Sequence, residues 1–331
     1  MAAPLRPAAS ALGRLLRARA GAPAAGGSRW PRRGFAAWSD GQYQHFRGRG
    51  PGLRTARGPA VALVGGGVAA ASGLYYVTHL ETVPFSKRRH FIVTSVRQER
   101  QMGDHTYRQV LQQHRGRVLP AGHPAARAVA RVGQRLAREA GDLAAWGGQV
   151  EHMRGLRWTF TVIDSPELNA FVLPGGHVCV FTGLLKLFRT DDELATIVAH
   201  EVAHVVARHG AEKVSTGQAV AFAKLLLYSL FDFSFGPVFS LALELPNSRT
   251  MELEADALGL QLMAKACFNP RVAPGVFERL GEANRGARPP EYLSTHPSDR
   301  GRSEALRRQL PEALWVYEAA GCEGLAAFFR R

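Results

Sequence analysis

Cysteine is scarce in this chain: Cys179, Cys267 and Cys322 are the only three in 331 residues, and no two form a CxxC pair. That spacing indicates neither a disulfide framework nor a cysteine-held zinc site, so packing is the default role for each thiol. A GxxxxGK[ST] loop and an internal repeat are also missing. Nothing here binds ATP through a P-loop. Acidic residues are missing from the N-terminus, where the first is Asp40. Residues 1 to 58 set eleven arginines against that one acid, so they carry +10 of the formal +15 and the other 273 residues only +5.

What those first residues do contain is Arg and Ala with some Ser, the composition of a mitochondrial transit peptide, expected over 1–35. Arg6, Arg14, Arg17 and Arg19 interrupt every apolar run that a secretory signal would need. A disordered basic arm is the alternative. RRGF followed by AAWS offers a processing point after Phe35, with Arg33 two positions before it. Processing there removes seven of the eleven arginines, so no nucleic-acid partner is expected.

Long uncharged runs are rare. After an Arg/Gly-rich linker, 36–59, Val61 to Leu80 runs twenty residues without a charge, just long enough to cross a bilayer. A transmembrane helix is therefore expected over 60–80, with the lipid bilayer as partner. Tyr75 and Tyr76 suit an interfacial belt, and Gly65, Ala69 and Gly73 form a small-xxx-small face. Two alternatives are a buried soluble helix and a GxGxxA dinucleotide turn at Gly65, Gly67 and Ala70. The second needs a continuing βαβ unit, whereas the chain turns at Pro84 into SKRRH. Basic residues flank the run on both sides, so they do not orient it.

With 46% apolar residues the remainder can bury a sizeable core. Residues 84–320 read as one mainly α domain with a small β-sheet (α+β), followed by a C-terminal tail, 321–331. His123 to Ala140 has helical periodicity, RWTFTVIDS reads as a strand, and NAFVLPGGHVCVFTG reads as two strands around a PGG turn. A helix from Gly183 into FRT leads to the next. The apolar stretch Ala219 to Leu245 is interrupted by Lys224, Asp232 and Pro237, which favours a buried helical pair over a second span.

The segment TIVAHEVAHV carries the chemistry. Thr190 with Glu193 forms a capping box, and Gly210 stands where a C-terminal cap belongs. On this helix Leu194, Val198, Val202, Val205 and Val206 share one face, while His200 and His204 lie about 40° apart on the other. Two imidazoles one turn apart can converge on one ion. Glu201 is placed to reach a water on that ion without being forced to ligate it. The bland reading is a solvent-facing helix edge with an accidental pattern, so a third ligand is required. Ala207 and Gly210 replace the glycine and last histidine of HExxHxxGxxH, which excludes the metzincins.

A second helix, NSRTMELEADALGLQLMAKAC, supplies the candidate. Glu254, Gln261 and Lys265 cluster on one side, read as the solvent side, and Glu252 and Asp256 lie one turn apart on the opposite, core-facing stripe. Buried carboxylates need a cation or a metal. Glu252 is therefore the expected third zinc ligand, and Asp256 a carboxylate that accepts a hydrogen bond from a ligand histidine. The competing reading is a buried acid pair satisfied by Arg249.

HEVAH followed by SRTMELEAD, preceded by SPELNAFVLPGGHVCVFTGLL and followed by STHPSDRGR, resembles the integral-membrane gluzincin family that contains the CAAX prenyl protease and the bacterial HtpX heat-shock protease. With the presequence and the apolar run, the likeness is to its ATP-independent mitochondrial inner-membrane branch, the Oma (overlapping-activity) type. The resemblance implies a membrane-anchored metalloprotease domain with one zinc ion, held by His200, His204 and Glu252, and a catalytic Glu201. It puts the family's ExxxD acid at Asp256 and its later His and Arg at His296 and Arg302; either of these two catalytic candidates could stabilise the oxyanion, the alternative being that His296, before a proline, is structural. It further implies a catalytic domain facing the intermembrane space and protein substrates at the inner mitochondrial membrane, among them the dynamin-like fusion GTPase. A homo-oligomer is left open. Asn169 and His177 are cleft candidates for substrate binding, and HVCVF is a candidate edge strand on which an extended substrate could pair, its alternative being an internal strand. The competing function is a non-catalytic, zinc-stabilised membrane scaffold or assembly factor. Cys267 and Cys322 could pair in a moderately oxidising compartment, though two buried free thiols are the favoured reading.

Overall fold

The computed structural model describes residues 57–142, 150–231, 237–283, 292, 296 and 300–322, with no side chains described at 57–62, 226–248 and 300. The expected transit peptide 1–35, its processing point, nearly all of the 36–59 linker and the tail beyond 322 lie outside those residues. The chain divides into two units, Met1–Val61 and Ala62–Arg331, and all that follows concerns the second except the first turn of one helix.

The uncharged run folds as helix α1, Arg57–Thr78, with Leu63, Val64, Leu74 and Val77 exposed. No helix among the described residues is long and apolar enough to cross a membrane, and the first turn of this one carries no described side chains. Immediately after it, β1 (Leu80–Thr82) and β2 (Arg89–Phe91) pair antiparallel, and Tyr76 stacks on Phe91 at 5.1 Å.

Next come α2 (Val96–Gln113) and α3 (Pro124–Asp142), whose core face is Val129, Val132, Leu136 and Ala140. Strands β3 (Thr159–Ile163), β4 (Ala170–Leu173) and β5 (His177–Phe181) form a sheet in the order β3-β5-β4. β5 runs parallel to β3 and antiparallel to β4, with Gly175 and Gly176 of the PGG turn at positive φ. HVCVF is therefore the central strand and not an edge. Being buried from Val178 to Phe181 on both faces, it reads as a continuous apolar run. The edge is β4. The helix expected after Gly183 is only one turn, α4 (Thr182–Leu185).

At the centre lies α5, Asp191–Val206, between α3, β4 and α7 (Pro237–Lys265). Every residue from Leu194 to Val206 is buried, which excludes a solvent-facing edge. Thr190 accepts the Glu193 amide at 3.2 Å as expected, while the Glu193 carboxylate reaches the amide of Arg189. Gly210 is not the C-terminal cap. The helix stops at Val206 and Arg208 takes a left-handed φ of 55°, held there by Glu81 and Glu99. On α7, Gly259 lets two helices approach: a Cβ there would lie 3.1 Å from the His200 amide nitrogen.

The face of α7 read as solvent-exposed is covered. Glu254 is buried against Arg88 and His209, and Gln261 is buried as well. Of the stretch 219–245, where a buried helical pair was expected, side chains are described only as far as Leu225, and there α6 (His209–Phe231) exposes Phe222 at 58% and Leu225 at 64%. α7 ends on a left-handed Cys267, whose amide meets Ala264 O while Phe268 N meets Met263 O. A short 3-10 turn then leads into α8 (Ala273–Ala283), and α9 (Arg300–Ala319) closes the domain. Cys267 and Cys322 are bonded to each other, which overturns the reading of two free thiols; Cys179 is buried and free. Cys267 sits at a position that usually takes glycine, and the bridge accounts for its being there.

Thiol trapping in denaturant should modify one cysteine per chain before reduction and three after it; three before reduction would show the pair open. Gly259→Ala should lower stability by about 1–3 kcal/mol through overpacking. Gly217→Ala on α6, where a Cβ meets nothing within 4 Å, should be neutral or gain up to about 1 kcal/mol. Thermal melts of the two variants decide this.

Candidate metal centre

Where α5 crosses α7, four buried side chains bring one donor each to a single point: His200, His204, Glu252 and His296. His200 Nε2 lies 3.1 Å from His204 Nε2 and 3.3 Å from Glu252 Oε2, and His204 Nε2 lies 3.6 Å from Glu252 Oε1. His296 Nδ1 is 3.3 Å from His200 Nε2 and 3.0 Å from Glu252 Oε2. Tetrahedral donors around zinc, at bonds of 2.0–2.1 Å, stand about 3.3 Å apart. The spacing is that of a coordination polyhedron.

Charge points the same way. Glu201, Glu252 and Asp256 are all buried here, and Arg302 is the guanidinium among them. Three desolvated carboxylates against one fixed cation leave a deficit that a divalent ion would fill. Burial lowers the His200 pKa, but hydrogen bonds with Asp256 and Glu252 outweigh it and raise the ring to about 9. Burial alone would raise Glu252, yet the bonds from His200 and His296 hold it well below the usual carboxylate range. Protonated imidazole is the positive charge available to this cluster, and it would be released when a cation takes its place.

Glu201 stands beside the cluster. Its Oε2 accepts the Val172 amide of β4 at 3.0 Å, while Oε1, fully buried, accepts no hydrogen bond. Burial raises its pKa, against the nearby His296 and His200, which is the tuning a general base requires. Val172 thereby turns its N–H away from β5, so the edge strand and the free carboxylate oxygen face one another.

Asp256 is where the helix wheel placed it, its Oδ1 an ion-pair distance of 2.9 Å from His200 Nδ1, on the side of the ring away from the other donors. Its cation is Arg302, which bonds both carboxylate oxygens at 2.7 Å. The same guanidinium lies 3.2 Å from Glu252 and 4.6 Å over the Phe277 ring. Arg302 is thus fully engaged in orienting carboxylates, whereas an oxyanion role was expected of it. His296 does join the cluster, with Nε2 3.5 Å from Glu201 Oε1 and its ring stacked on buried Tyr292. Asn169 is buried just before β4 with Oδ1 lacking a hydrogen bond. His177 lies elsewhere: Thr159 and Asp104 take its two ring nitrogens at 2.7 and 2.8 Å, and Tyr107 stacks on it.

Sequence reasoning missed three participants. His209 lies 2.7 Å from His204 Nδ1, Glu254 holds His209, and Tyr292 packs on His296. His209 follows His204 by five residues, past the end of α5, so helical periodicity does not relate the two.

Comparison with known proteins follows the same lines. The profile of peptidase family M48 matches residues 126–310. The chain is 40% identical over 262 residues to the mitochondrial metalloendopeptidase OMA1 of Schizosaccharomyces pombe, covering 78% of this chain and 74% of that protein. It is 33% identical over 362 residues to the protein of the same name from Arabidopsis thaliana, covering 87% and 73%. With a putative beta-barrel assembly-enhancing protease of Vibrio cholerae it shares 33% identity over 171 residues, 46% of this chain and 35% of that one. The matched region holds His200, Glu201, His204, Glu252 and Asp256 at the helix crossing, and the chain belongs to peptidase family M48.

Proposed function

We propose that this protease is an ATP-independent zinc endopeptidase of the inner mitochondrial membrane, cutting membrane-associated proteins. The observation that carries the reading is the four-donor cluster with, beside it, a buried Glu201 oxygen that accepts no hydrogen bond among the described residues. His200, His204 and Glu252 hold the ion, and zinc suits two imidazoles and a carboxylate at these spacings. When bound, it supplies a Lewis acid for the scissile carbonyl and brings the pKa of an attacking water to about 7. Glu201 takes the proton from that water at Oε1 and later delivers it to the leaving amine. Asp256 and Arg302 keep His200 and Glu252 in place. His296, with Nδ1 facing Glu252 and Nε2 3.5 Å from Glu201, is the residue we assign to donate to the developing oxyanion. An extended substrate pairs with the outer edge of β4, beside the Val172 amide that Glu201 holds, and Asn169 offers its buried oxygen to a substrate amide.

Location rests on three supports. The fungal and plant relatives are named mitochondrial, the N-terminal composition is that of a transit peptide, and a Cys267–Cys322 bond suits a compartment more oxidising than the matrix. The exposed apolar side chains of α1 and the exposed Phe222 and Leu225 are the surfaces offered to the bilayer. The dynamin-like fusion GTPase, processed under stress, is the substrate implied by the family resemblance. A non-catalytic scaffold would keep the ion for stability and need no general base. The buried Glu201 oxygen, which accepts no hydrogen bond among the described residues and has His296 Nε2 3.5 Å away, favours the enzyme.

Glu201→Gln should leave zinc content near that of the wild type and reduce peptide cleavage by about 10²-fold or more. Glu252→Gln should weaken zinc binding at least about tenfold and lose cleavage with it. Undiminished processing by the Glu201 variant would establish the scaffold. For location, protease added to mitochondria with ruptured outer membranes should degrade the catalytic domain, and protection until the inner membrane is also opened would place it in the matrix.

A further inference from the structure

Outside the four donors, a chain of buried polar groups runs from His204 to the hairpin that follows α1. His204 presents Nε2 to His200 and Glu252, and its Nδ1 lies 2.7 Å from Nδ1 of His209. His209 Nε2 lies 2.9 Å from Glu254 Oε2. Glu254 also accepts hydrogen bonds from the Ser86 hydroxyl and from Arg88, at 3.1 Å from Nε and 2.8 Å from Nη2. Arg88 continues to Glu212 with two bonds of 2.7 Å, and His90 meets Glu212 at 3.0 Å. His209, Glu212 and Glu254 are all at least nine-tenths buried.

Hydrogen-bond direction along this chain is determined by its far end. A carboxylate facing an arginine fork only accepts, so the proton between His209 and Glu254 belongs to His209 Nε2. Neutral His209 then has a lone pair at Nδ1 and nothing to donate there. His204 must donate from its own Nδ1, which leaves a lone pair at Nε2 aimed at the cluster. The wrong tautomer of His204 would set N–H against the ion and two lone pairs against each other 2.7 Å apart.

We propose that His209 and Glu254 are positioning residues for His204, and that Ser86 and Arg88 complete the chain, so that seating of the 80–91 hairpin sets how tightly the protease holds its metal. The proposal rests on His204 being a ligand. Asp256 does for His200 what His209 does for His204, but Asp256 is held by α9 and His209 by the segment joined to α1. One ligand therefore answers to the body of the domain and the other to its N-terminal hairpin.

The hairpin supplies its own control. Glu81 clamps it a second time, directly to Arg208 at 2.6 Å, and Arg208 in turn bonds Glu99, none of the three being a donor of the cluster. Zinc affinity of the full chain should be measured by competition with a chromogenic chelator, alongside melts of the metal-free protein. His209→Ala, Glu254→Gln and Arg88→Leu should weaken zinc about 10–100-fold. Glu81→Gln should stay within about twofold of wild type even where its metal-free melt falls as far. His209→Gln keeps an acceptor for His204 and a donor for Glu254, and should restore affinity to within about threefold. The cobalt-substituted His209→Ala protein should show an altered visible spectrum, which loss of packing alone would not give. Wild-type affinity in both His209→Ala and Glu254→Gln overturns the proposal while leaving the site intact. Wild-type affinity in His204→Ala overturns the ligand assignment itself, and the proposal with it.

Discussion

Everything in this domain turns on three carboxylates that have been taken out of water at one helix crossing. Glu201, Glu252 and Asp256 are each at most 3% exposed, and among the described residues Arg302 is the guanidinium that lies among them. Desolvating an ionised carboxylate without compensation costs several kcal/mol, so the crossing is stable only when positive charge is supplied. Arg302 supplies it to Asp256, protonated imidazole does so in the metal-free protein, and a bound cation does so in the working one. The fold reads as the means of enforcing that requirement: α5 buried on every side, α7 brought close through Gly259, and α9 delivering Arg302 from the far end of the chain.

Around that centre the protein uses two kinds of support. Apolar packing of α3, α5, α7 and the sheet fixes where the helices lie, because a close-packed core tolerates little displacement. Polar chains then fix which way each ring faces, a matter to which packing is nearly indifferent. Asp256 with Arg302 does this for His200, and His209 with Glu254 and Arg88 does it for His204. The edge strand β4 joins the second kind of support to the chemistry. Its Val172 amide occupies one oxygen of Glu201 and leaves the other for a proton.

Much of the site was legible in the linear pattern because each part lies within one or two helical turns. His200 and His204 are one turn apart, and so are Glu252 and Asp256, so an amphipathic wheel puts each pair on a single face. The wheel failed for Glu254 and Gln261. It assumes that a charged face meets solvent, whereas this one meets Arg88 and His209, which come from elsewhere in the chain. The same assumption made α5 look two-sided, although a helix sandwiched by three elements has no solvent side. Gly210 was misplaced as a cap because ion pairs from Glu81 and Glu99 hold Arg208 in the left-handed conformation instead. The strand order could not be read at all. Alternation tells which residues alternate faces, and HVCVF, buried on both, carries no sign of whether it is central or at an edge.

By itself, then, the sequence determined the chemistry of the pieces: two imidazoles with a glutamate between them, a second helix with paired acids, and an N-terminal stretch too basic for a secretory signal. These are local properties, set by side-chain identity and by the 3.6-residue turn. Only the tertiary structure decided that the pieces meet, that His296 and Arg302 come to the crossing, that Cys267 bonds Cys322, and that the hairpin after α1 reaches a metal ligand through His209. The reason is physical. Burial, charge compensation and disulfide partnering depend on neighbours far away in the chain, and those neighbours exist only once the helices have packed.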